Sequence, residues 1–293
     1  MNRRSKMTLK ALVFSMGLAA FLLSACGGGT GGSSGSSGGS AVAAAPKVSA
    51  GSRGPASIPR GTRAFKTDAL VYNGPGTWAD EVPALENILS QHGASFKEVN
   101  AADLNAMSLD DLDQFGMIVW PGGLGGTQML SLTSATKLKL RQAVQDRGVS
   151  WIGFCAGSFV AVAPTPEPGK DPSYGLSIVN APELQYYYLE NQGTDIAMTK
   201  ANFADGTSRD LVWYGGPVTP EFDGGVVAKY PNGQAAISET WSGNGFVMLS
   251  AVHPAAPQLT RTFFGLNDSD GLDFDIAWKL LEATLKQSEI QAF

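Results

Sequence analysis

The stretch Val149-Ser150-Trp151-Ile152-Gly153-Phe154-Cys155-Ala156-Gly157-Ser158 decides the fold. A run of β-branched and aromatic residues that stops at Gly-x-Cys-x-Gly reads as a buried strand turning sharply into a helix. One glycine lets the backbone enter the turn and the other lets the following helix pack close. The residue at the apex, Cys155, is then expected in strained geometry with its side chain exposed. The N–H of Ala156 should point into the same space, which is the arrangement of a nucleophile elbow with sulfur in place of oxygen.

Working outward, strands and helices alternate. Ala69–Tyr72, Ser95–Val99, Gly116–Trp120 and Val149–Phe154 read as strands. Val82–His92 reads as an amphipathic helix with Val82, Leu85, Ile88 and Leu89 on one stripe. Ser108–Phe115 reads as a short helix or loop. Ala135–Arg147 reads as a helix with Leu138, Leu140, Ala143 and Val144 as its apolar positions, closed by Gly148. This order predicts an α/β fold, a parallel sheet with helices on both faces. Glycine-rich breaks at 73–76, 121–123 and 153–157 each follow a strand. The carboxyl ends of parallel strands share one edge, so the three loops, with Gly74, Gly122 and Gly123 among them, should meet at one cleft around Cys155.

A thiol in that cleft needs a base, and the chain has two histidines. His92 closes a predicted helix, where the dipole favours it. His253 follows the apolar run Gly245–Val252 and lies on the carboxyl edge if that strand is parallel to the others. It is the candidate base for Cys155. The backbone N–H groups of Ala156 and of the Gly122–Gly123 loop are the candidate oxyanion donors.

The chain begins with a basic segment, Met1–Lys6, then the apolar Ala11–Ala25, then Leu23-Ser24-Ala25-Cys26. The apolar run is short for a membrane span. The segment resembles a bacterial lipoprotein signal of residues 1–25, with Cys26 as the lipidated position. Gly27 in place of an aspartate implies sorting to the outer membrane, facing the periplasm. Residues 26–64 are rich in Gly, Ser, Ala and Pro and read as a flexible tether of about 35 Å. The folded part is expected over 65–293. Once Cys26 is a thioether, Cys155 is the only free thiol and has no disulfide partner. The net charge of −5 becomes more negative once the basic leader is gone, about −9, which argues against nucleic-acid binding. The expected partners are therefore a small-molecule or peptide-like substrate and, through the lipid, a membrane.

Pro121-Gly122-Gly123, Gly153–Gly157 and Ser250–Pro254 together resemble the class I glutamine amidotransferase-like superfamily, a flavodoxin-like parallel-sheet sandwich. Val71–Thr77 and Tyr214–Pro217 are similar to its biotin–protein ligase N-terminal-domain-like branch. The resemblance covers most of 67–285. It implies Cys155 as nucleophile, His253 as general base and the 122–123 loop as part of the oxyanion hole, with Tyr214 and Gly216 near the cleft. That superfamily usually carries His-Pro-Glu, whereas this chain has His253-Pro254-Ala255. The orienting acid is missing from its usual place, leaving a Cys–His dyad or a triad completed by Glu221, Glu239 or Asp273. No glycine- and arginine-rich ligase signature appears, so biotin ligation is not implied. Two functions stay open: a Cys–His hydrolase or amidotransferase-like enzyme acting on an amide or related acyl bond, and a non-catalytic binding module on the same fold.

Other features point less sharply. Tyr186–Tyr188 and Trp213–Tyr214 are aromatic segments read mainly as core. The acids Asp268, Asp270, Asp273 and Asp275 lack the spacing of a calcium loop and read as helix-N-terminal residues. No metal ligands and no cofactor are expected.

Overall fold

Continuous burial along the first strand shows that the sheet is covered on both sides. In the computed structural model, which describes residues 63–162, 175–187 and 196–293, β1 (Thr67–Tyr72) sends Ala69 and Val71 to one face and Leu70 and Tyr72 to the other. All four are fully buried. The expected signal segment, Cys26 and the tether up to residue 62 lie outside the described residues. Arg63, at the end of the expected tether, is already bound to the domain. Its guanidinium donates to the Asp113 carbonyl at 2.6 Å and to that of Phe115.

α1 (Glu81–Gln91) covers the first face with the expected stripe of Val82, Leu85, Ile88 and Leu89. β2 (Phe96–Val99) leads to α2 (Ala101–Ala106) and α3 (Leu109–Leu112). Asn100 caps α2 by accepting the Asp103 N–H, and a Ser108–Asp111 capping box starts α3. β3 (Phe115–Trp120) is followed by α4 (Gly125–Leu130), a helix the glycine-rich stretch did not signal. α5 (Ser134–Gln145) is capped by Thr133 and buries Leu140, Ala143 and Val144. Leu138, expected on that stripe, is instead 46% exposed. β4 (Ser150–Phe154) enters the elbow and α6 (Ala156–Val162) leaves it.

The second half widens the sheet. β5 (Ile196–Phe203), β6 (Ser208–Tyr214), β7 (Val226–Lys229), β8 (Ala235–Ser242) and β9 (Gly245–Ser250) complete it. α7 (Gln258–Phe263) and α8 (Phe274–Lys286) end the chain's regular structure. The strand order is β2-β1-β3-β4-β9-β8-β7-β5-β6. β2, β1, β3, β4 and β9 are parallel, and β8, β7, β5 and β6 continue antiparallel. The parallel core is the α/β sheet expected from the first half. The antiparallel wing is its elaboration, and apolar runs alone do not announce strand direction. β9 pairs with β4 in the register Phe154↔Ser250, so Cys155 and the segment beyond Ser250 leave the sheet side by side.

Candidate functional site

Cys155 sits at φ 47°, one of three non-glycine residues in the left-handed region among those described. The turn is held from both ends. The Cys155 N–H donates to the Ser250 carbonyl at 2.7 Å, and the Cys155 carbonyl accepts from the N–H groups of Ser158 and Phe159. Ser158 Oγ donates to the carbonyls of Gly153 and Ser250. A side chain at Gly153 would overlap the Gly157 backbone, and one at Gly157 would overlap the Trp120 carbonyl. The paired glycines therefore let strand, turn and helix approach as the sequence implied. The thiol itself is not exposed: Cys155 is 5% accessible, contrary to expectation. Its Sγ lies 3.3 Å from the Tyr214 carbonyl, to which the S–H donates.

His253 follows β9, and its N–H donates to the Val212 carbonyl at 2.8 Å. The ring is 1% accessible and packs edge-on against Trp78, with centroids 4.7 Å apart. Nδ1 lies 2.7 Å from Oε1 of Glu81. The other carboxylate oxygen of Glu81 accepts the Gly122 N–H at 2.6 Å. Glu81 is fully buried and is the first residue of α1, where the helix dipole favours a negative charge. Glu81 thus occupies the orienting position that Ala255 leaves open, and the acids named from sequence do not. Glu239 accepts the Ile290 N–H through both oxygens. Asp273 pairs with Arg261 and Arg209, and burial pushes its carboxyl up to about 6 despite the arginines. Glu221 lies in the segment between β6 and β7.

Burial works against charge on the His253 ring. The Glu81 carboxylate opposes that effect, helped by hydrogen bonding and charge from Cys155, and the pKa is pushed up to about 10. By strict geometry Nε2 has no hydrogen-bond partner among the described residues, because the thiol is turned toward Tyr214. Cys155 is nonetheless, besides Glu81, a group whose hydrogen bonding and charge bear on the ring. With Nδ1–H committed to Glu81, Nε2 is the nitrogen left to exchange a proton with sulfur.

The three glycine loops do meet here. Trp78 N–H donates to the Gly122 carbonyl and Leu124 N–H to the Gly76 carbonyl, so the loops after β1 and β3 are zipped together. The Gly122 N–H is consumed by Glu81 and is not an oxyanion donor, which corrects that part of the expectation. Those of Gly123 and Ala156 have no partner among the described residues. Gly74 caps its own turn, its carbonyl accepting the Thr77 N–H. Tyr214 lines the site twice, through its carbonyl and through its ring, which meets Trp78 edge-on at 5.9 Å. Gly216 supports rather than lines: its carbonyl accepts Trp213 Nε1–H and Tyr187 N–H. Tyr187 is core, stacked on Tyr230. Tyr188 lies outside the described residues. Among the described residues no group of three His, Cys, Asp or Glu side chains could hold a metal ion.

Residues 67–206 match the family described as biotin-protein ligase, N terminal. No curated protein matches the chain. The fold is similar to several solved structures. One is a glutamine amidotransferase, at 18% identity and a TM-score of 0.47, covering 67% of this chain and 97% of that one. A cytoplasmic protein from Salmonella typhimurium is 15% identical with a TM-score of 0.48, covering 74% and 98%. An exo-beta-1,4-mannosidase from Opitutaceae bacterium strain TAV5 is 11% identical with a TM-score of 0.43. That match covers 75% of this chain and 36% of the mannosidase.

Two expectations follow from the site. A methyl group at Gly122 would overlap His253 Cε1 and stand 3.2 Å from Glu81 Oε2. Gly122→Ala should therefore cost about 1–3 kcal/mol in denaturant melts and slow alkylation of Cys155; an unchanged midpoint and rate would contradict the packing described. The second concerns pH. Folded His253 holds its proton up to about pH 10, whereas an unfolded histidine loses it near about 6.5. The stability this proton linkage adds is complete below about pH 6.5 and is lost as pH rises through about 10. In Cys155→Ser, which removes the part of the shift that the thiol contributes and leaves that of Glu81, the melting temperature should still fall as pH rises above about 6.5, ending below about 10. Adding Glu81→Gln should flatten the fall, and equal slopes in the two proteins would contradict the pairing.

Proposed function

We propose that this chain, whose domain belongs to the class I glutamine amidotransferase-like superfamily, is an envelope-anchored cysteine hydrolase acting on an amide or related acyl bond. The observation that carries the reading is the buried Glu81–His253 pair beside Cys155 at the elbow. A carboxylate that holds Nδ1–H fixes the tautomer and stabilises the imidazolium, and this is what a charged ring needs in order to keep a thiolate beside it.

In the proposed reaction Cys155 gives up the S–H that the Tyr214 carbonyl holds, its proton passing to water, and the sulfur beside the charged His253 ring attacks the substrate carbonyl carbon, forming a C–S bond while the π electrons move to oxygen. The oxyanion is met by the N–H groups of Ala156 and Gly123. Collapse of the tetrahedral species breaks the C–N bond, and His253 Nε2–H gives its proton to the leaving nitrogen. A water then attacks the thioester and gives a proton to Nε2, the C–S bond breaks, and the acid leaves with the thiolate–imidazolium pair restored. Glu81 touches no reacting atom; it is a positioning residue.

A non-catalytic binding module is the alternative, and one observation favours it: the thiol is nearly sealed and bonded to the Tyr214 carbonyl. Incubating the chain with a panel of N-acyl and peptide amides separates the two. The hydrolase reading expects turnover that Cys155→Ser abolishes and that Glu81→Gln lowers by about 10²–10⁴ in kcat/KM. A panel without turnover, together with a Cys155 that alkylates no faster than a simple thiol, would leave the binding module.

The anchoring part rests on the Leu23–Cys26 segment. It expects a mature amino-terminal peptide that begins at Cys26 and carries a diacylglyceryl thioether, detected by mass spectrometry, with Cys26→Ser recovered in the soluble fraction. An unmodified Cys26 in the membrane fraction would overturn it.

A further inference from the structure

Both members of the Cys155–His253 pair are held by one strand. β6 is the outermost strand of the sheet and pairs with β5 on one side only. The other side of an edge strand presents N–H and C=O groups that no neighbouring strand takes. Val212 and Tyr214 are two residues apart, so their carbonyls leave the strand in the same direction. The first accepts the His253 N–H at 2.8 Å and the second accepts the Cys155 S–H at 3.3 Å.

The peptide joining Tyr214 to Gly215 is less restrained than its neighbours. Trp213 Nε1–H donates to the Gly216 carbonyl, which also accepts the Tyr187 N–H. A side chain at Gly216 would overlap the Ala251 carbonyl, so residue 216 is pressed against the segment before His253. The Tyr214 ring is held edge-on by Trp78 and Phe264. Gly215 has none of these restraints. Its φ is 59°, a side chain there would meet nothing within 4 Å, and its N–H has no partner among the described residues.

A half-turn of this one peptide begins and ends in allowed backbone. Glycine takes φ of either sign, so 59° becomes about −120°, inside the β region. Tyr214 ends an antiparallel strand, and a strand ψ of about +135° becomes about −45°, in the right-handed helical region. The half-turn exchanges the ends of the peptide dipole: the carbonyl leaves the sulfur and the Gly215 N–H comes to face it. A carbonyl only accepts, so the observed arrangement holds a neutral S–H. The turned arrangement offers a donor, which suits a thiolate. The His253 side is set for the same change. Its Nε2 is buried without a hydrogen-bond partner among the described residues, on a ring that the Glu81 carboxylate keeps charged. A charged donor left unmade in a buried site is costly, and a thiolate would satisfy it.

We propose that the Tyr214–Gly215 peptide is the switch of the nucleophile: its carbonyl keeps Cys155 a resting neutral thiol, and its half-turn lets the S–H bond break, the proton passing to water and the electron pair staying on a sulfur held by the Gly215 N–H and His253 Nε2–H. This rests on the hydrolase reading of that site and supplies its regulation. Gly215 is then required for its left-handed φ and not for space, in contrast to Gly216.

The test uses the full chain and two readouts, neither of which is turnover. The first is the infrared S–H stretch of Cys155, isolated as the difference between the native chain and Cys155→Ser at neutral pH. The second is the rate at which chloroacetamide alkylates the Cys155 peptide, followed by mass spectrometry. The native chain should show an S–H band lowered in frequency by its bond to a carbonyl. Alanine disfavours the left-handed region, so Gly215→Ala should weaken that band and speed alkylation by about tenfold. Asparagine tolerates that region, so Gly215→Asn should recover most of the native band and rate. A side chain that merely loosened the turn would act alike in both variants, and equal effects of alanine and asparagine would overturn the switch. So would a native chain with no S–H band, or with one at the frequency of a free thiol. A lowered band that responds to Gly215 as described, in a chain that turns over none of the amides, would count against the hydrolase reading and leave the switch standing. Turnover by a chain whose Cys155 shows no S–H band would do the reverse.

Discussion

The contact between the Glu81 carboxylate and His253 Nδ1 is the constraint around which the rest is arranged. Both side chains are buried, and moving two such charges out of water costs several kcal/mol each unless their geometry and remaining hydrogen bonds are good. The surroundings meet that condition. The second carboxylate oxygen takes the Gly122 N–H, the start of α1 favours negative charge, and Trp78 closes the ring from the side. Gly122 can have no side chain because the imidazole occupies that space. The zipped loops after β1 and β3 follow from the same demand, since they bring Glu81 and Gly122 together at the Nδ1 edge of one ring.

The two halves of the sheet divide the work. The parallel half carries Cys155 at the end of β4 and Glu81 beyond β1, as the carboxyl edge of such a sheet should. The antiparallel wing supplies the restraints on the histidine and the thiol. Val212 and Tyr214, at the end of β6, offer the carbonyls that hold His253 N–H and Cys155 Sγ. β6 is the far edge of the sheet in strand order, yet its end reaches back over the site. The wing is thus part of the site's architecture, and the Arg261 cluster extends it by fixing α7 beside the loop that precedes Glu81.

Much of this was legible in the sequence, for physical reasons that can be named. Alternating strands and amphipathic helices are short-range patterns, so β1, α1, β2, β3, α5 and β4 read to within about two residues, while the short α2 and α4 do not. Gly153 and Gly157 reported a close approach, and the apolar run before His253 placed it on the right edge. What escaped was long-range. Glu81 lies 172 residues from His253, whereas Glu221, Glu239 and Asp273 are its neighbours along the chain. An acid at the first turn of a helix that follows a strand-end glycine loop is the available signal, but the apolar stripe begins at Val82, one residue after Glu81. The direction of β5 to β8 escaped because apolar runs look alike in parallel and antiparallel strands. The burial of Cys155 escaped because it depends on β6, a strand the motif does not mention. Leu138 was misplaced because a helix stripe read by apolarity ignores Thr136 and Lys137, which are the buried neighbours in fact.

The central claim is that Glu81 keeps His253 charged beside the thiol, and imidazole ¹⁵N NMR titration of His253 in the native chain and in Glu81→Gln tests it most directly. The account predicts that both ring nitrogens of His253 stay protonated at neutral pH and lose the proton only toward about pH 10, and that the substitution moves this titration to clearly lower pH. A His253 that titrates near the ordinary value of about 6.5, or one that titrates identically with and without the Glu81 carboxylate, would contradict it.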